Sequence, residues 1–173
     1  ERFLASTSAP TPFVVVDVDV VEERYHALRA AVPAAQEYYA VKANPAPEIV
    51  RTLYKAGASF DVASLPEFML VYDNVKRLPA RARQDFVWDK IVYANPIKPE
   101  ETLRVLDRYR PLVTYDNRAE LAKIKAHAPH ADAREQGSGG IVADGIDGAA
   151  EIGPMQQDVK GKGGEGEEDK FHR

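Results

Sequence analysis

The fold is best inferred from nine residues, Glu37-Tyr-Tyr-Ala-Val-Lys-Ala-Asn-Pro45, which place Lys42 at the end of a short apolar strand. The Asn-Pro pair that follows breaks the strand, so the amine is expected at the strand's exit with its stem in the sheet. Partial burial there would lower the pKa of the amine and make it a Schiff-base nucleophile. The alternative is an ordinary lysine whose stem covers apolar surface while its ammonium stays in water. Taken alone, the nine residues favour this alternative.

Strand and helix patterns alternate on both sides of this stretch. After a lead strand and helix over residues 10–36, four strand–helix repeats begin at residues 37, 59, 90 and 112. Such alternation is typical of an α/β fold with parallel strands, for which a (β/α)8 barrel is the natural candidate. A full barrel needs eight repeats and about 250 residues. Residues 37–131 therefore correspond to about half of a TIM-type barrel. The predicted strands are 11–17, 38–42, 59–63, 90–94 and 112–115.

Composition excludes several kinds of site and partner. The 173 residues are 45% hydrophobic with a net charge of −4, which indicates a globular protein and gives no reason to expect nucleic acid or an anionic membrane as partner. No apolar run approaches the roughly 20 residues of a membrane span. Because the chain has no cysteine, disulfides, thiolate metal sites and cysteine nucleophiles are excluded. The same absence suits a reducing cytoplasm, the compartment we expect.

The chain changes character near residue 132. Ten of its eleven glycines lie in residues 132–173, whereas fourteen of its fifteen aromatic residues precede them. A Gly-rich, acidic segment with few aromatic residues cannot bury enough apolar surface to offset the entropy lost on ordering. We therefore predict a disordered tail over residues 132–173, and a flexible N-terminus over residues 1–9.

Polar residues follow each predicted barrel strand, where barrel enzymes place their chemistry. A lysine facing an aspartate and a serine could hold a cofactor with a carbonyl group. For Asp61 and Asp116 the alternative is N-capping of the following helix, and for Tyr93 and Asn95 it is anchoring of a loop. The residues at these positions are Lys42 and Asn44, Asp61 and Ser64, then Tyr93, Asn95 and Lys98, and finally Asp116.

Four ordered motifs together resemble one family of enzymes. They look like successive signatures of the fold-type III pyridoxal-phosphate-dependent decarboxylases, which act on ornithine, lysine, arginine or diaminopimelate. The resemblance covers residues 10–131, includes the opening Thr11-Pro-Phe-Val-Val-Val-Asp17, and is nearest to the bacterial ornithine/lysine branch. The motifs are Tyr39-Ala-Val-Lys-Ala-Asn-Pro45, Ser59-Phe-Asp-Val-Ala-Ser64 with Glu67, Tyr93-Ala-Asn-Pro-Ile-Lys98, and Val113-Thr-Tyr-Asp116.

The resemblance implies roles for three residues. Lys42 would form the Schiff base with pyridoxal 5'-phosphate, Asp61 would lie beside cofactor and lysine, and Ser64 would support the same site. It also implies a basic amino acid as substrate, a role in polyamine biosynthesis, and a homodimer that shares its active sites. The lead strand would belong to a second β-domain built mainly from the C-terminal half of such proteins.

The resemblance ends after Ala131, where the family continues into a strand carrying an arginine. Residues 132–140 show no strand pattern, so we expect a truncated or frameshifted decarboxylase that is inactive as this chain alone. Two alternatives remain open: a non-catalytic decarboxylase-like binding protein, and a pyridoxal-phosphate carrier protein. Half a barrel would also leave the strand at 112–115 as an unpaired edge.

Overall fold

The computed structural model describes Phe3, residues 6–10 and residues 12–136. Within them, strands and helices alternate from residue 18 onward. No helix in this part of the chain is long and apolar enough to cross a membrane. The helices are α1 (Val18–Ala31), α2 (Pro47–Lys55), α3 (Leu65–Tyr72), α4 (Ala80–Lys90), α5 (Glu100–Leu106) and α6 (Arg118–His127), and the strands are β1 (Tyr38–Ala40), β2 (Ser59–Val62), β3 (Ile91–Tyr93), β4 (Leu112–Tyr115) and β5 (Asp132–Glu135).

The strands form one parallel sheet in the order β1-β2-β3-β4-β5. Each strand pairs with the next along the chain through a helical crossover, as consecutive units of a (β/α)8 barrel do. The predicted α/β fold with a partial TIM-type barrel is confirmed. It contains five strands in this part of the chain, one more than the four repeats predicted.

The core lies between the sheet and the helices that cover it. Helix α2 begins with Pro47 in its first turn and buries Ile49, Val50 and Leu53 on one face. It ends before Gly57, which adopts a φ of +87° that favours glycine. In the sheet, Phe60 on β2 and Ile91 on β3 are fully buried. This continuous apolar packing holds the carboxyl ends of the strands in fixed positions.

The predicted lead strand over residues 11–17 is wrong for the residues that the structure describes. Phe13–Asp17 adopt no strand, and Val14 is 90% exposed. The run is β-branched, but no strand in the described part of the chain pairs with it, and strand formation depends on such pairing. Asp17 instead caps α1, because its carboxylate accepts the backbone N–H of Asp19 at 3.0 Å.

The prediction that strand pattern ends after Ala131 is also wrong. Asp132–Glu135 form β5, which pairs with β4 along its whole length, so β4 is not an edge of the sheet. Arg134 lies on this strand and faces Thr114 in the register. The predicted disorder of the remaining tail falls on residues 137–173, outside the described residues. The flexibility of residues 1–9 stays a prediction.

Candidate functional site

Lys42 lies at the carboxyl end of β1, but on a different element from the one predicted. The strand ends at Ala40, and residues Val41–Ala43 form a single 3-10 turn. Val41 is fully buried and anchors the turn, while Lys42 is exposed. The expected burial of the lysine stem is therefore wrong. Its amine is accessible from solvent at the end of the sheet where barrel enzymes bind substrates.

The residues after Lys42 fix the turn. The side-chain oxygen of Asn44 accepts the backbone N–H of Ala46 at 3.1 Å, forming a local turn before α2. The hydroxyl of Tyr39 donates to the carbonyl of Asn44 at 3.1 Å. The strand ends earlier than predicted, at Ala40, and the Asn-Pro pair instead ends the 3-10 turn that presents Lys42.

Asp61 is the acidic neighbour of Lys42. It lies on β2 opposite Ala40 in the strand register, and its side chain is partly buried. Burial raises the pKa of this carboxyl above its ordinary value, the Lys42 ammonium lowers the pKa, and Glu67 raises it. The structure therefore brings Lys42 and Asp61 together, as predicted from the sequence.

Ser64 and Glu67 form a capping box at the start of α3. The Ser64 hydroxyl accepts the backbone N–H of Glu67 at 3.4 Å, and the Glu67 carboxylate accepts the backbone N–H of Ala63 at 2.8 Å. Ser64 is the N-cap of this helix, so the capping alternative for Asp61 is wrong. Because Ser64 fills that role, the Asp61 carboxylate does not cap α3, and the Lys42 ammonium is near enough to lower its pKa.

Tyr93 joins the same group from the next strand. It is buried at the end of β3, opposite Val62. Burial raises the pKa of its phenol, Glu67 raises it further, and a hydrogen bond with the Asn95 side chain lowers it. Tyr93 is thus an electrostatic neighbour of Glu67, which also acts on Asp61, so the carboxyl ends of three adjacent strands contribute to one polar cluster.

Lys98 is not in this cluster, although its motif suggested a place at the barrel mouth. Its side chain is 0% exposed, and its Nζ donates to the carbonyl of Asn95 at 2.6 Å. Glu120 on α6 accepts the backbone N–H of Lys98 at 2.9 Å and lies 3.7 Å from its Nζ. Burial lowers the pKa of Lys98, against the opposing effect of Glu120. This buried ion pair was missed because lysine is rarely buried; the only signal was its place in a repeated Asn-Pro motif.

Asp116 also lies apart from the Lys42 cluster. Its carboxylate is exposed and accepts the Asn117 side-chain amide at 2.7 Å, while Asn117 caps α6 through the N–H of Glu120. The capping alternative for Asp116 is therefore wrong, because Asn117 is the N-cap of α6.

The Lys42–Asp61 arrangement fits the aldehyde end of pyridoxal phosphate. An accessible primary amine is the group that combines with an aldehyde, and a carboxyl beside it can exchange protons with it. Within the described residues, the fit to pyridoxal phosphate rests on the amine of Lys42 and the carboxyl of Asp61.

Comparison with known proteins agrees with the geometry. A family model for the pyridoxal-binding domain of pyridoxal-dependent decarboxylases matches residues 18–135. Lysine/ornithine decarboxylase of Selenomonas ruminantium is 37% identical over 124 residues, which cover 71% of this chain and 29% of that protein.

Solved structures show the same similarity. The crystal structure of lysine decarboxylase from Selenomonas ruminantium superposes with a TM-score of 0.65 at 34% identity, over 78% of this chain and 32% of that one. Lysine/ornithine decarboxylase from Vibrio vulnificus, complexed with cadaverine, gives a TM-score of 0.63 at 30% identity, over 78% of this chain and 34% of that one. The chain thus spans about a third of the length of the proteins it matches.

Proposed function

Because the chain belongs to the pyridoxal-dependent decarboxylases, in which it provides part of the pyridoxal-binding domain, we propose that Lys42 is the residue through which it holds pyridoxal phosphate. The observation that carries this proposal is an exposed amine at the carboxyl end of β1, electrostatically coupled to the partly buried carboxyl of Asp61. When bound, pyridoxal phosphate supplies an electron-accepting ring that stabilises the carbanion left by loss of CO2.

Asp61 acts on the amine of Lys42. Its carboxylate orients the amine, because the two groups attract each other across the β1–β2 pair. Its pKa is raised by burial, which brings the carboxyl closer to the range in which it can accept and return a proton. Asp61 therefore holds or moves the proton that Lys42 must lose before the amine can act as a nucleophile.

Three further residues support this pair. Ser64 caps α3 and so fixes Glu67, whose charge acts on both Asp61 and Tyr93. We assign Ser64 a supporting place in the cofactor site through this cap. Tyr93 is buried at the end of β3 and hydrogen-bonded to the Asn95 side chain, which holds its phenol near Glu67.

The complete catalytic unit acts on a basic amino acid, ornithine or lysine, and works as a homodimer with shared sites. Support for the basic amino acid comes from the Selenomonas ruminantium lysine/ornithine decarboxylase and from the Vibrio vulnificus protein complexed with cadaverine, whereas the homodimer is what the family resemblance implies. The 173-residue polypeptide by itself is expected to release little CO2, because its described residues supply five of the eight strand ends that build such a site.

Borohydride reduction in the presence of pyridoxal phosphate tests the role of Lys42. A phosphopyridoxyl adduct is expected on Lys42, located by peptide mass spectrometry, and it should disappear in Lys42→Ala. The matched control is Lys55→Ala, since Lys55 is also exposed but ends α2 shortly before the amino end of β2, whereas Lys42 follows the carboxyl end of β1. Adducts spread evenly over many lysines would contradict the proposal. Assaying CO2 release from ornithine and lysine on the same samples separates cofactor binding from turnover.

A further inference from the structure

A polar cavity of about 230 Å³ lies at the amino end of the sheet. Lys42 follows the carboxyl end of β1, so the cavity is separate from the pair formed by Lys42 and Asp61. Its polar groups come from the starts of three adjacent strands and from helix α1. They belong to Arg29 on α1, Gln36 and Glu37 before β1, Gly57 and Ser59 around the start of β2, and Lys90 before β3.

Gln36 ties the walls of this cavity together. Its Nε2 atom donates to the Ser59 hydroxyl at 2.9 Å and to the carbonyl of Asp89, just before β3, at 2.6 Å. A side-chain amide nitrogen has two N–H donors, and both are used here. The Gln36 amide nitrogen therefore holds the strand starts in place and has no donor left for a ligand, which leaves the charged side chains to bind one.

Glu37 has one carboxylate oxygen that is paired and one that is not. Its Oε2 atom lies 3.8 Å from Nε of Arg29. Its Oε1 atom is buried and accepts no hydrogen bond from the described residues, although the side chain as a whole is only 16% exposed. A buried acceptor without a donor costs free energy, which a ligand N–H group would remove. The strongest such donor to a carboxylate is an ammonium group.

Lys90 provides the opposite charge in the same cavity. Its ammonium has three N–H donors, and one of them donates to the carbonyl of Gly57 at a long 3.4 Å. Among the described residues, no carboxylate lies within ion-pair distance of Lys90, whereas Arg29 already faces Glu37. The cavity thus combines a cation that can take an anionic ligand group with a carboxylate oxygen that needs a donor.

We propose that this cavity binds a small α-amino acid as its zwitterion. The ligand's ammonium donates to Oε1 of Glu37, its carboxylate accepts from Lys90, and its side chain packs on the ring of Tyr25, which also lines the cavity. The volume corresponds to about seven waters of roughly 30 Å³ each, enough for an amino acid the size of alanine. The ligand is bound and not converted, and Lys42 takes no part, so this proposal and the proposed function fail independently.

Titration of the full 173-residue chain, followed by nuclear magnetic resonance, tests the proposal with L-alanine as the probe. We expect saturable shifts of the backbone amide signals of Glu37, Ser59 and Lys90 in the millimolar range. Propionate lacks the ammonium and ethylamine lacks the carboxylate, so each should bind at least about tenfold more weakly than L-alanine. Shifts that do not saturate, or equal binding of either fragment, would overturn the proposal.

Two substitutions assign the contacts. Glu37→Gln and Lys90→Met should each weaken L-alanine binding at least about tenfold, because each removes one of the two charges that the zwitterion meets. The matched control is Lys55→Met, since Lys55 is an exposed lysine near the start of β2 that does not line the cavity. Circular dichroism checks that the variants fold. Unchanged affinity in Glu37→Gln and Lys90→Met would contradict the assignment, and if a variant does not fold, the three probes on the parent chain still decide.

Discussion

At the scale of single residues, the pairing of an exposed lysine with a partly buried aspartate has a cost in stability. Burial is the largest influence on Asp61 and raises its pKa, so the ionised carboxylate is less favourable in the folded state than in the unfolded state. Residues placed for function often reduce stability in this way. Asp61→Asn should therefore increase the free energy of unfolding at pH 7, by less than about 1 kcal/mol.

The pH dependence of that gain follows from the direction of the pKa shift. A carboxyl whose pKa is raised by folding contributes stability at low pH, which is lost as the pH rises through its folded pKa. The advantage of Asp61→Asn should thus be near zero around pH 4 and grow toward pH 7 in urea unfolding curves. Asp85→Asn, at an exposed position on α4, is the control for removing one carboxylate from the chain. In the borohydride assay Asp61→Asn should slow labelling of Lys42, and unchanged labelling would count against its role.

At the scale of elements, the buried Lys98–Glu120 pair links the loop after β3 to the start of α6. The carboxylate of Glu120 contacts the N–H and Nζ of Lys98 and also the ammonium of Lys123 at 2.7 Å. Removing one member of a buried pair leaves the other charge insufficiently compensated. Lys98→Met should lower the free energy of unfolding by about 3 kcal/mol, and adding Glu120→Gln should restore part of the loss.

An exposed pair provides the comparison for this double-mutant cycle. Arg104 and Glu100 on α5 are 2.9 Å apart and both exposed, so their coupling should be no more than about 0.5 kcal/mol. Equal coupling energies for the two pairs, measured by urea unfolding of the single and double variants, would contradict a bracing role for Lys98.

Elements were predictable from sequence where local signals and tertiary contacts agree. Asn117 with Glu120 three residues later marks the start of α6 correctly, because capping is decided within one turn. Strand β5 was missed since Asp-Ala-Arg-Glu has no apolar alternation, and its pairing with β4 depends on the rest of the sheet. The apolar residues 13–16 led to the opposite error, a predicted strand that does not form. They have high β propensity, but no strand in the described chain pairs with them.

At the scale of the whole molecule, the proximity of Lys42 and Asp61 was easier to predict from the sequence than the burial of individual side chains. The parallel order of the strands follows from the alternation of helices and strands, and it brings Lys42 beside Asp61 without any further information. The burial of Lys98 and the exposure of Lys42 reverse the expectation from their motifs. Both depend on where α6 and the 3-10 turn lie, which only the packed structure determines.

Stability should be distributed unevenly across the sheet, with consequences for association. Strands β2 and β3 contribute the fully buried Phe60, Val62 and Ile91, whereas β5 is partly exposed along its length and ends in Arg134 and Glu135. Hydrogen exchange should therefore be slowest in β2 and β3 and faster in β1 and β5, because edge amides open without global unfolding.

Charged residues protect the β5 edge from pairing with other chains, while the Tyr-Tyr-Ala sequence of β1 gives no such protection. As the protein concentration rises, hydrogen exchange should slow in β1 before it slows in β5. The reverse order would show that chains associate through the polar edge at β5 and not through β1.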